Sequence, residues 1–175
     1  MKSENKREAS SDNCTGESAI RTWIRFVATH AAIARELEAR LMGAHELTLS
    51  DYDVLVQLAR APDRKLRNID LAKAVVLTRS GVTRLVDGLE KDGLVRRSSC
   101  PSDKRGTFVA LTDEGLARLR EATSTHVTGV RELFVERLGE DGLEQMDALL
   151  RLLPAGAGCL ESRACLADPD ALEVA

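Results

Sequence analysis

The 175 residues predict a mainly α-helical fold interrupted by one small β-hairpin. Six segments place apolar residues at three- and four-residue steps, the period of a helix with one buried face. Between the fourth and fifth of these, Leu94–Ser99 and Thr107–Leu111 change to short strand-like runs flanking a polar, basic tip at 100–106.

Residues 1–16 are polar and without period, and are expected to form a flexible N-terminal tail. From Glu17 a stripe begins, Trp23, Phe26, Val27, Ala31, Ala34, Leu37 and Leu41, which Gly43 would stop. Ser50 offers an N-cap, with Asp53 three residues on, for a second helix carrying Val54, Leu55, Leu58 and Ala59. Ala61-Pro62-Asp63 ends it. A third helix fits about Arg67 to Val75. Thr78 then caps a fourth, in which Val82, Leu85, Val86 and Leu89 stand at i, i+3, i+4 and i+7. Gly93 lies where a helix end wants a left-handed residue. After the hairpin, Thr112 caps a fifth helix with Asp113 and Glu114 in its first turn, and its apolar positions continue to Leu138. Gly139 interrupts, Leu143 to Leu153 give a sixth helix, and 154–175 is expected to be a flexible tail.

Composition narrows the function. No apolar run reaches the roughly 18–20 residues that cross a bilayer, and the start MKSENKREASSDN has no hydrophobic segment of the secretory kind. A cytoplasmic protein is expected. Cys14, Cys100, Cys159 and Cys165 form no CxxC pair and, with His30, His45 and His126, no metal-ligand spacing, so neither metal nor cofactor is expected. No GxSxG, GxxxxGK[ST], GxGxxG or HExxH motif is present, which speaks against an enzyme. Five aromatic residues are too few for a platform on which single-stranded bases stack.

The net charge of −3 conceals a division. From Arg60 to Arg105 there are twelve basic and six acidic residues, a net of +6, which leaves −9 on the rest. Such a pattern steers a polyanion to one face. Two short helices followed by a basic hairpin is the order of a winged helix-turn-helix. Opposite the apolar stripe of its fourth helix stand Arg79, Ser80, Thr83 and Arg84. Guanidinium and hydroxyl groups there suit insertion into a major groove, where Arg bonds guanine bidentately. A solvated amphipathic helix would carry the same stripe. At the hairpin tip, Lys104 and Arg105 can reach a minor groove, with Asp103 beside them to direct Arg105.

The stretch 77–97, LTRSGVTRLVDGLEKDGLVRR, resembles the recognition helix and first wing strand of the MarR family, and 103–112, DKRGTFVALT, matches that family's D-x-R-x5-L-T wing signature. The likeness covers about residues 17–153. It implies a winged helix-turn-helix at about 50–112 flanked by long dimerisation helices at about 17–43 and 113–153. By position, it implies a homodimer on pseudopalindromic double-stranded DNA, with Ser80, Thr83 and Arg84 reading the groove and Arg105 in the minor groove. Lys104, Arg67 and Asn68 would touch phosphates.

Members of the family commonly respond to small phenolic or lipophilic anions, and the resemblance implies a repressor released by such a ligand. Trp23 and His30 are candidates to line its pocket, although Trp23 equally suits dimer packing. Cys100 on the hairpin is the thiol to test for redox control, the other cysteines reading as spare thiols. A winged domain that binds protein rather than DNA is the remaining alternative.

Overall fold

The computed structural model describes residues 9–75, 79–100 and 103–153, with side chains from residue 16 except at 79–80, 99–100 and 103–106. Two compact units result, Met1–Glu36 and Leu37–Ala175.

The first helix, α1, runs Ala9–His45. It starts earlier than the apolar stripe predicts, because polar residues extend a helix without needing a buried face. It also runs past Gly43, and the left-handed residue that ends it is Glu46, at φ 56°. In the first unit the described side chains of the helix are exposed except those of Ala31, Ile33 and Ala34, which are half-buried, and the Trp23 and Phe26 rings lie 6.1 Å apart.

The second unit holds the core. Helix α2, Leu49–Arg60, is capped by Thr48 rather than Ser50. The Thr48 hydroxyl accepts from Asp51 N–H at 3.0 Å, and the Asp51 carboxylate accepts from Thr48 N–H at 3.0 Å. This reciprocal pair places the helix start two residues before the predicted one. Tyr52 and Val54 to Ala59 are buried, so α2 is the central helix of the unit.

Strand β1, Lys65–Arg67, precedes α3, Asn68–Ala74, so Arg67 caps the third helix instead of opening it. Helix α4, Arg79–Lys91, buries Val82, Val86 and Leu89 as the spacing predicts; Thr78 lies outside the described residues. Its end is a Schellman turn: Leu94 N–H donates to Leu89 C=O at 2.9 Å, Gly93 N–H to Glu90 C=O at 3.1 Å, and Gly93 takes φ +75°.

Strands β2, Val95–Cys100, and β3, Asp103–Leu111, form the hairpin, and the sheet order is β1-β3-β2, antiparallel throughout. Strand β2 is shifted one residue towards the tip and β3 starts four residues earlier than predicted, so Lys104 and Arg105 belong to β3 rather than to a seven-residue tip. Polar residues on both faces gave this extension no alternation to read. β1 pairs Lys65 with Ala110 and Arg67 with Phe108.

Helix α5, Asp113–Val130, starts on Thr112, whose hydroxyl accepts from Gly115 N–H. A π-turn at Arg131–Val135 separates it from α6, Glu136–Leu150, where a single helix to Leu138 was expected. Gly139, at φ +66°, kinks α6 at the predicted interruption. Arg40 of α1 and Glu132 of the π-turn pair at 2.7 Å.

Candidate nucleic-acid interface

The apolar spacing of α4 fixes which of its residues face outward. With Val82, Val86 and Leu89 in the core, Thr83, Arg84, Asp87 and Gly88 are exposed. Arg84 has no ion pair among the described residues, so its guanidinium is available to an external acceptor. Arg79 and Ser80 open the helix; their side chains lie outside the described residues, as do those of Asp103, Lys104 and Arg105 at the start of β3 and Cys100 at the end of β2. The backbone therefore brings the predicted groove residues onto one helix and the predicted wing residues onto one strand.

A residue that sequence reasoning missed joins these two elements. Arg97 of β2 donates to Glu90 Oε2 of α4 at 2.6 Å and pairs with Asp87 Oδ1 at 2.7 Å. Its backbone N–H also donates to Glu90 Oε1 at 2.8 Å, and its Nη2 reaches the Thr83 carbonyl at 3.4 Å. One guanidinium thus ties the wing to the exposed side of α4. A signal was present: Arg97 shares a strand face with buried Val95, and an inward arginine needs carboxylates, which Asp87 and Glu90 supply three residues apart.

A second cluster surrounds Phe108. The Lys65 ammonium lies 5.2 Å and the Arg67 guanidinium 5.6 Å from its ring centre, both drawn to the ring face. Arg67 is exposed there and keeps its charge at the surface. The Asn68 Oδ1 is buried and has no hydrogen-bond partner among the described residues, so that oxygen faces the protein rather than solvent.

The ligand candidates Trp23 and His30 are exposed on α1 in the first unit. Among the described residues no group of three or more His, Cys, Asp or Glu side chains is arranged to hold a metal ion, and no helix is long and apolar enough to cross a membrane.

An exposed basic helix locked to a β-wing defines a winged helix-turn-helix of the regulator class. The MarR family model matches residues 47–107, which span α2 to the middle of the hairpin. The MarR-family regulator Sco3205 of Streptomyces coelicolor, solved in complex with DNA, is 37% identical. The alignment covers 75% of this chain and 82% of that one, with a TM-score of 0.71. A mutant MarR of Escherichia coli, solved with operator DNA, is 25% identical over 78% of this chain and 96% of its own, TM-score 0.69. The HTH-type transcriptional repressor YetL of Bacillus subtilis is 32% identical over 105 residues, 54% of this chain and 63% of YetL. The chain thus spans under two thirds of YetL's length. The chain belongs to the MarR family of transcriptional regulators.

Proposed function

We propose that the chain binds pseudopalindromic double-stranded DNA as a homodimer and acts as a repressor released by a small lipophilic anion. The observation that carries this reading is Arg84, exposed and without an ion pair among the described residues, on a helix whose wing is fastened to it by Arg97. Together they supply a groove-entering cation and a fixed angle between helix and wing. The likeness to Sco3205 and to the Escherichia coli MarR, both solved on DNA, supports the same docking mode. Arg79, Ser80 and Thr83 complete the major-groove edge, Arg105 enters the minor groove, and Lys104 and Arg67 neutralise phosphates. Apolar side chains of α1 left exposed in this chain support the homodimer, and Trp23 and His30 are the first positions to test for the ligand.

Fluorescence anisotropy on a specific and a scrambled duplex, at two salt concentrations, tests the DNA reading. Affinity for both should fall steeply with salt. Arg84→Ala should narrow the gap between the duplexes, with about 1–3 kcal/mol lost on the specific one, whereas Lys104→Ala should weaken both alike. Equal, salt-insensitive binding to the two duplexes would refute it.

A further inference from the structure

At the C-terminal end of α4 a cavity of about 390 Å³ opens, away from the helix end that carries Arg79 to Arg84. Thirteen residues of α4 separate the two ends by about 20 Å at 1.5 Å per residue. Glu46 and Leu47 line the cavity from the α1–α2 turn, Asp92 and Leu94 from the α4–β2 turn, and Arg118 from α5. Leu47 and Leu94 are buried, whereas Glu46 and Asp92 are exposed.

The carboxylates in this cavity are unspent among the described residues. Neither the Glu46 nor the Asp92 carboxylate has a hydrogen bond or ion pair among the described residues. Arg118 commits one N–H to the His45 carbonyl at 2.8 Å, which orients the guanidinium and leaves its other donors open. The negative end of the α4 dipole lies beside Asp92 and adds to the attraction for a cation. Two anionic groups and one cationic group around one small cavity call for a ligand with two ammonium groups and one carboxylate on a short stem.

We propose that this cavity binds a small basic amino acid, its two ammonium groups against Glu46 and Asp92 and its carboxylate against Arg118. This ligand has the opposite charge to the lipophilic anion above and occupies a different place. Bound there, it bridges the α1–α2 turn, the end of the reading helix and α5.

Isothermal titration of the DNA-free protein with L-lysine, cadaverine, 6-aminohexanoate and benzoate tests the proposal. L-lysine should bind tightest, the two compounds that each lack one charged group more weakly, and benzoate not at all. Glu46→Gln and Asp92→Asn should each weaken L-lysine binding by roughly three- to fivefold, as exposed ion pairs do, and together by about tenfold. Arg118→Gln should abolish the preference for L-lysine over cadaverine; circular dichroism checks that the helices persist without the bond to His45. Absence of L-lysine binding, wild-type binding in the double carboxylate variant, or tighter binding of benzoate would each overturn the site. Because no DNA is present, such a failure leaves the reading of α4 and the wing untouched.

Discussion

Arg97 matters because a single guanidinium carries the register between two elements that, in the proposed function, meet DNA together. Its bonds to Glu90 and Asp87 are charge-assisted, and its own side chain is only 27% exposed although Asp87 lies at the surface. Arg97→Ala should lower stability by about 1–2 kcal/mol and weaken specific-duplex binding beyond that, because the wing loses its fixed angle to α4. Urea midpoints beside anisotropy titrations separate the two effects; unchanged DNA affinity would show that the interlock is structural alone. His126 makes a different test. Burial between α5 and α2, where its ring stacks on Tyr52 at 4.6 Å, holds the imidazole below its ordinary 6.5, against a smaller upward pull from Asp53. The unfolded chain therefore takes up the proton at a higher pH than the folded one. Stability is full above about pH 6.5 and falls as pH drops through that value towards the lower folded pKa. Comparing urea midpoints at pH 7.5 and 5.5, His126→Phe should lose less stability over that interval than wild type. An equal loss would remove His126 from the pH dependence. Arg97 was only partly legible in the sequence, and His126 was not. Arg97 was counted among the basic residues but needed the neighbouring helix to receive a role, and His126 needed Tyr52, 74 positions upstream, to become a half-buried, stacked ring.

The elements that sequence periodicity read well are those whose partners are near in the chain. The buried spacing of α4, its stop at Gly93 and the Thr112 cap of α5 are local facts, and they stand as read. Strand β1 was missed because three residues hold no period, and its order comes from β3, whose Phe108 lies opposite Arg67. The π-turn was missed because the apolar stripe passes through it without a break. The junction of α4, β2 and α5 shows local and tertiary demands on two glycines. Gly93 needs only its left-handed backbone, since a Cβ there would meet nothing within 4 Å. At Gly115 a Cβ would collide with the Leu94 carbonyl oxygen, the same oxygen that accepts from Thr112 N–H and its hydroxyl. Gly93→Ala should therefore destabilise by about 1 kcal/mol. Gly115→Ala should cost about 2–3 kcal/mol, because backbone rather than a flexible side chain must move. Thermal or urea unfolding of the two variants decides the order, and a milder effect at Gly115 would contradict so close an approach.

For the whole chain, charge and exposed apolar surface lead to one expectation. The net +6 of residues 60–105 lies on the segment that holds α3, α4 and the wing, and the −9 on the remainder repels a polyanion from the other elements. One recognition helix reads only a half-site, and the steep preference expected for a pseudopalindrome needs two held at a fixed spacing of about 34–36 Å. What would hold them is visible as unburied hydrophobic surface. On α1, Ile20, Trp23, Ile24 and Val27 stand at i, i+3, i+4 and i+7 and are all exposed, Trp23 at 62%. Beyond the kink at Gly139, Leu149, Leu150, Leu152 and Leu153 are exposed as well, Leu152 at 79%. Contiguous apolar stripes of this kind mark interaction surfaces, and in the proposed homodimer a second copy would supply the matching stripe by symmetry. The α1 stripe cannot be serving the fold of its own unit, where no described residue is buried. A charge placed in it should therefore separate copies without unfolding the chain. Ile24→Asp is expected to convert a dimer to a monomer in sedimentation velocity at micromolar concentration, with the helical circular dichroism largely kept. Specific-duplex affinity should then fall towards the scrambled-duplex value, since each half-site is bound singly. A wild-type chain that sediments as a monomer, or an Ile24→Asp variant that remains dimeric, would move the interface away from α1.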